Sequence, residues 1–233
     1  MKNALLQFSQ RDRRRIYEKT KLQSLAEEWK LYRQGLITGT VIKRVMMSIK
    51  HEKESSQALN RSISKFWGNS YSNEAMKYGV FHEKDGIQVL WEYFNKKHQN
   101  TSMVNPGIVI HETLPFVGGS PDVLFYCENC CGEGKKVIVG EVKCPFRLTH
   151  SGIAAAHTLE YLDENSTLKK SHSYFYQQNL YCGLTNASAC YFIIWTPNGH
   201  LILEIDFDSA LYQSMEIAAK KYFYEKYVTD FFH

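Results

Sequence analysis

Proline is scarce in this chain, five in 233 residues, and the first hundred residues are especially poor in it. No stretch approaches the ~18 consecutive apolar residues of a membrane-spanning helix, so no such span is expected. No internal repeat and no low-complexity linker is visible, which leaves one sizeable core, or a core with a small subdomain. The polar N-terminus carries the basic run Arg11, Arg13, Arg14 and Arg15, with no apolar segment after it. It therefore lacks the pattern of a secretory signal. The expectation is a soluble, intracellular protein. Its six cysteines, Cys127, Cys130, Cys131, Cys144, Cys182 and Cys190, are then expected as reduced thiols. Charge of one sign is not in large excess: the net charge is +4. That balance is compatible with a nucleic-acid partner and decides nothing alone.

What is present is an ordinary globular composition, 44% hydrophobic and 22% charged. Apolar spacing predicts helices over the first hundred residues. Ile16, Leu22, Leu25 and Trp29 fall near helical spacing, with Gly35 as a stop. Short helices are expected over Val41–Ile49 and Ser56–Trp67, and a longer one after Asn73 with Met76, Phe81, Leu90 and Phe94 in the core. The pattern then changes. Gly107–Ile110, Ser120–Tyr126 and Val137–Lys143 read as strands, the last two joined by a hairpin loop over Cys127–Lys135. Residues 168–183 read as helix. Ala189–Trp195 and Leu201–Phe207 read as a strand pair around Pro197-Asn198-Gly199, and an amphipathic helix is expected over 209–230. This order predicts one mixed α/β (α+β) domain with helices packed on a sheet.

Glu141-Val142-Lys143 ends an apolar strand. Alternate strand residues share a face, so Glu141 and Lys143 should point the same way and Val142 into the opposite layer. A carboxylate can bind a hard cation, and a neighbouring ammonium can place a water and counter negative charge. Asp122, after the turn Gly118-Gly119-Ser120-Pro121, is the second candidate carboxylate. If its strand pairs with Val137–Lys143, both acids meet at one sheet end. Mg²⁺ held there keeps positions for water and a phosphate oxygen, as phosphodiester hydrolysis requires. A lone Glu-x-Lys or Pro-Asp is common in strands and turns; the ordered combination is the informative feature.

Five segments in order resemble the lambda-exonuclease / YqaJ viral recombinase family of the PD-(D/E)xK nuclease superfamily, over about residues 29–195. They are Trp29–Thr38, with its Trp, Arg and Ile-Thr; Tyr78–Glu83, aromatic-Gly-x-x-x-Glu; Ser120-Pro121-Asp122; Glu141–Phe146, Glu-x-Lys-Cys-Pro; and Tyr174–Asn179, a Gln-x-Gln helix. The resemblance implies a restriction-endonuclease-like core: a central mixed sheet flanked by helices. The whole chain, 1–233, is then expected to be a single domain. Its helical N-terminal part covers 1–70, its catalytic core 71–207 and its C-terminal helix 208–233.

The resemblance further implies that Asp122, Glu141 and the Val142 carbonyl bind Mg²⁺, for which Mn²⁺ would substitute. Lys143 would position the attacking water, Glu83 would assist at the metals, and Gln177 would face the scissile bond. Arg33, Thr40 and Ser120 would line a pocket for a terminal 5′-phosphate, a task that suits the planar guanidinium fork. Val123 stands where the family has glycine, Asn179 where it has a second glutamine, and Thr40 where serine is usual; none removes a metal ligand. The implied activity is a Mg²⁺-dependent 5′→3′ exonuclease on linear double-stranded DNA ends, leaving 3′ single strands for recombination. The implied assembly is a homotrimer, with a single-strand-annealing recombinase as partner. An endonuclease or repair nuclease on the same core is the alternative enzyme, distinguished by nicking of closed circles. A DNA-end-binding protein without turnover is the alternative outside catalysis.

Other features have plain readings. Trp29 reads as core packing, Cys144 and Pro145 as a small thiol and a strand stop, and His82 as incidental. The N-terminal arginines read as a solvated helix face, although phosphate contact needs only charge. Cys127-x-x-Cys130, with Cys131 beside it, is half of a zinc knuckle. No second cysteine pair of the right spacing lies nearby, so the spacing leaves metal binding open.

Overall fold

The apolar run Val137–Val139 lies at the centre of a five-stranded mixed sheet. The computed structural model describes residues 8–51, 57–65, 73–128, 130 and 134–231. Helices come first: α1 (Gln10–Lys19), α2 (Glu27–Arg33), α3 (Ile42–Lys50), α4 (Gln57–Ser64) and the long α5 (Glu74–Lys97). Strands β1 (Thr101–Val104), β2 (Val109–Ile110), β3 (Gly118–Gly119), β4 (Val123–Cys127) and β5 (Lys136–Lys143) follow. Then come α6 (Ser173–Thr185), the hairpin β6 (Ala189–Thr196) and β7 (Gly199–Asp206), and α7 (Ser209–Tyr222). The main sheet runs β1-β4-β5-β6-β7. Only β5 and β6 are parallel, and α6 lies in the connection between them, as a parallel pair requires.

Alternation along the strands feeds two cores. Leu124, Val139, Cys190 and Phe192 face Phe175, Tyr181 and Cys182 of α6. Val123, Phe125, Ile138, Val142 and Ile193 face Leu90 and Phe94 of α5. A third cluster joins Val45 of α3, Leu59 of α4 and Met215 and Tyr222 of α7. Each fully buried side chain of this kind contributes ~1.5–3 kcal/mol by removal from water. Among the described residues no helix is long and apolar enough to cross a membrane.

The mixed α/β class is as expected, and several local expectations are corrected. Met76 and Phe81 are exposed, 46% and 65%, whereas Leu90 and Phe94 are fully buried. The periodicity of α5 thus reaches the core only over its second half. Leu22 and Leu25 are also exposed, because the chain leaves the helix after Lys19 and turns at Gln23, φ +47°. The strand expected over Gly107–Ile110 is only the two-residue β2, paired with β3 in a separate small ladder. The Ile108 N–H there goes to Thr20 Oγ1 at 2.7 Å rather than to a strand. The edge strand β1 was not expected; its side chains are mostly exposed, so it carries little apolar alternation. The last helix becomes a π-turn at Phe223–Tyr227 instead of running on unbroken. Ser56, Phe66 and Trp67 of the helix expected over Ser56–Trp67 lie outside the described residues.

Candidate active site

Val123 pairs with Gly140 in the antiparallel β4–β5 ladder, so one further step sets Asp122 opposite Glu141. Asp122 is just outside the strand and replaces the ladder bond with its side chain: Oδ2 accepts the Val142 N–H at 2.8 Å. The turn before it is pinned from the N-terminal helices. Gln23 Nε2 donates to the Pro121 carbonyl at 2.9 Å, and the Trp29 indole N–H donates to Ser120 Oγ at 3.0 Å.

Glu141 is 2% exposed. Its Oε1 accepts from Lys143 Nζ at 2.6 Å and from Gln177 Nε2 at 3.0 Å. Its Oε2 is buried and has no hydrogen-bond partner. Gln177 projects from α6 and also donates to the Tyr181 hydroxyl at 3.0 Å, one helical turn on. Gly39 admits it, since a Cβ there would stand 2.6 Å from Gln177 Cγ. Lys143 lies over the Tyr174 ring, 5.1 Å from its centroid.

Glu83 arrives from the opposite layer on α5. That helix crosses the sheet so closely at Gly86 that a Cβ would meet Val142 Cγ1 at 2.4 Å. Glu83, one turn earlier, thereby comes within electrostatic reach of Asp122 and Lys143. Val142 points into the α5 layer, as alternation requires.

The titration of these groups reflects their crowding. Burial, then Asp122, pushes Glu141 up to about 8, against the pull of Lys143. Burial and Asp122 raise Glu83 to about 7. Burial raises Asp122 as well, opposed by Lys143 and the Val142 N–H. Burial acts to lower Lys143, but Glu141 and Asp122 outweigh it and raise its pKa, so the lysine stays an ammonium. Three carboxylates thus share one ammonium in a site where Glu141 is buried and Glu83, Asp122 and Lys143 are half-buried. A hard divalent cation suits this donor set: it would relieve the carboxylate repulsion and give Glu141 Oε2 the partner it lacks. The acids remain loosely grouped. The one described set of three or more His, Cys, Asp and Glu whose ligand atoms all lie within 4.8 Å of each other is elsewhere.

The remaining sequence candidates are near. Arg33 is buried with its guanidinium 4.5 Å above the Trp29 ring, and burial lowers its pKa against the opposing pull of Tyr181 and Glu141. Trp29 therefore links Arg33 to Ser120. Thr40 is exposed and its hydroxyl meets Thr38 Oγ1 at 2.9 Å, next to the Gly39 that packs on Gln177. Asn179 is not in the cluster; its Oδ1 accepts the Asp208 N–H at 2.7 Å, at the N-cap of α7. His82 bonds Asp85 at 2.8 Å and stacks on Trp195. Sequence reading missed Tyr181, whose i+4 spacing from Gln177 was a usable signal, and Gln23, which had none.

The model of the YqaJ-like viral recombinase domain family matches residues 28–188. No curated protein matches the chain. Among solved structures, an alkaline exonuclease (LHK-Exo) from Laribacter hongkongensis is similar with TM-score 0.58 and 18% identity, over 86% of this chain and 92% of that one. The SOX RNA complex of Kaposi's sarcoma-associated herpesvirus has TM-score 0.61 and 11% identity, over 94% and 75%. A SOX–DNA complex has TM-score 0.56 and 12% identity, over 91% and 71%. At these identities the likeness is one of fold.

Proposed function

Because the chain belongs to the YqaJ-like viral recombinase domain family, we propose that it is a metal-dependent deoxyribonuclease that degrades linear double-stranded DNA from its 5′ ends. The observation that carries this reading is the state of Glu141. One oxygen is held by Lys143 and Gln177, the other is buried without a partner, and Asp122 stands opposite across the ladder.

Asp122, Glu141 and the Val142 carbonyl are the residues that would hold Mg²⁺, or Mn²⁺ in its place, and the cation when bound supplies Lewis-acid charge at the phosphate. Lys143 orients the attacking water and counters phosphate charge. Its raised pKa suits it to that electrostatic part and not to taking a proton. The water oxygen bonds to phosphorus as the P–O3′ bond breaks, one water proton ends, by way of solvent, on the departing O3′ as its hydroxyl, and the released nucleotide keeps its 5′-phosphate. Gln177 holds Glu141 in place from α6, and Glu83 assists from α5. Arg33, with Ser120 and Thr40, receives the terminal 5′-phosphate; its stacking on Trp29 presets the plane of the guanidinium fork. The 3′ single strand left behind is the substrate of a single-strand-annealing recombinase. A homotrimer is the assembly this reading carries, and sedimentation checks it.

The test is a time course on end-labelled linear duplex with Mg²⁺, comparing 5′-phosphate and 5′-hydroxyl ends with a closed circle. Rapid loss of the 5′-phosphorylated strand with an intact circle is the expected result. Cutting of the circle would replace this reading with an endonuclease, and binding of ends without turnover would replace it with an end-binding protein.

A further inference from the structure

His98, Cys127 and Cys130 come from three separate pieces of the fold. His98 is the residue that ends α5, Cys127 ends β4, and Cys130 lies in the β4–β5 hairpin. Their ligand atoms all lie within 4.8 Å of one another, and His98 Nδ1 is 3.0 Å from Cys130 Sγ. Both thiols are buried, Cys127 at 0% and Cys130 at 6% exposure. Cys127 lies five positions beyond Asp122 along β4, ~17 Å at strand rise, so this cluster is distinct from the carboxylate site.

We infer that His98, Cys127 and Cys130 form a second metal site, for a thiolate- and imidazole-preferring ion of the Zn²⁺ class, that fastens the end of α5 to the β4–β5 hairpin. The ligand chemistry separates it from the first site, since two sulfurs and one nitrogen select Zn²⁺ while oxygen donors select Mg²⁺. Tetrahedral Zn²⁺ bonds of about 2.0–2.3 Å set its ligand atoms roughly 3.5–4 Å apart, so small side-chain movements let the cluster fill three of the four positions around an ion. Cys130 follows the end of β4 by three positions, and its N–H donates to the Gly134 carbonyl at 2.8 Å. His98 Nε2 is 3.3 Å from the Tyr191 hydroxyl, the outer contact that orients a ligating imidazole. On binding, each thiol loses its proton to solvent and the imidazole loses none.

The test uses the full chain, purified without chelator, with Zn²⁺ content measured after gel filtration and Co²⁺ exchanged in as a spectroscopic probe. The expected result is retention of one Zn²⁺ per chain and a thiolate-to-cobalt charge-transfer band. Cys130→Ser, Cys127→Ser and His98→Gln should each weaken retention by more than the ~10–100-fold of an outer-contact loss. Asp122→Asn should leave both signals unchanged. The His98 and Cys130 variants guard against misfolding of the deeply buried Cys127 variant, with circular dichroism as the check. A protein that retains no Zn²⁺ and shows no band overturns the inference, as does retained metal that follows Asp122 and not the thiols.

Discussion

Asp122 and Val142 are joined across two strands, the Asp122 Oδ2 accepting the Val142 N–H at 2.8 Å. The bond locks the first carboxylate onto the peptide that follows the second, so the spacing of the acids is set by backbone geometry. Asp122→Asn keeps an oxygen for this bond and removes the charge that, after burial, does most to push Glu141 and Glu83 up. The metal-free variant should melt about 2–4 °C higher than the parent, the shift for ~1 kcal/mol in a chain of this size. Cleavage should be lost. A lower melting temperature would mean that crowding of the acids is not what strains this site.

The pH dependence of stability has a fixed sign. Folded Glu141 titrates at about 8 and Glu83 at about 7, against an ordinary 4.5. Between those values the folded chain binds more protons than the unfolded one. The contribution is fully present below the ordinary value and is lost as pH rises through about 7 and 8. Metal-free melting temperature should therefore fall across this window, and Mg²⁺ should raise it more at the upper end. A flat profile from thermal melts in matched buffers would count against the burial of these acids.

Lys143→Ala should reduce single-turnover cleavage by ~10²–10⁴-fold, the range for a positioned group that acts on the transition state. Binding of duplex ends in the presence of Ca²⁺ should change little, because the carboxylates remain. Full activity in a gel-based cleavage assay would show that the lysine only neutralises Glu141.

Gly86→Ala places a Cβ 2.4 Å from Val142 Cγ1. Overpacking of this kind costs ~1–3 kcal/mol, offset in part by up to ~1 kcal/mol of helix propensity. Val142→Ala in the same chain should recover most of the loss. Urea unfolding of both single variants and the double variant gives the coupling directly; strictly additive effects would mean that the two groups do not touch.

Much of this arrangement was legible in the residues. Alternation in Val137–Lys143 told which way Glu141, Val142 and Lys143 point, and the hairpin with the Asp122 strand followed from the loop at Cys127–Lys135. Glu83 was harder, since its approach depends on how closely α5 packs, and only the Gly86–Val142 contact reveals that. Gln23 was invisible because its role rests on a left-handed backbone at a residue type that rarely adopts it. The half-knuckle at Cys127 and Cys130 stayed open because its third neighbour, His98, lies 29 residues earlier and reaches the sulfurs only through the fold. Met76 and Phe81 misled because their helical periodicity continues past the point where α5 leaves the sheet.

Helix α5 makes the two ends of the molecule mechanically unequal. If Gly86 is taken as a fulcrum, Glu83 sits on a short arm of ~4.5 Å and His98 on a long arm of ~18 Å, at the rise of an α-helix. A displacement at the hairpin end then reaches Glu83 at about a quarter of its size. Loosening of the thiol corner is expected to show in the melting curve well before it shows in the position of Glu83.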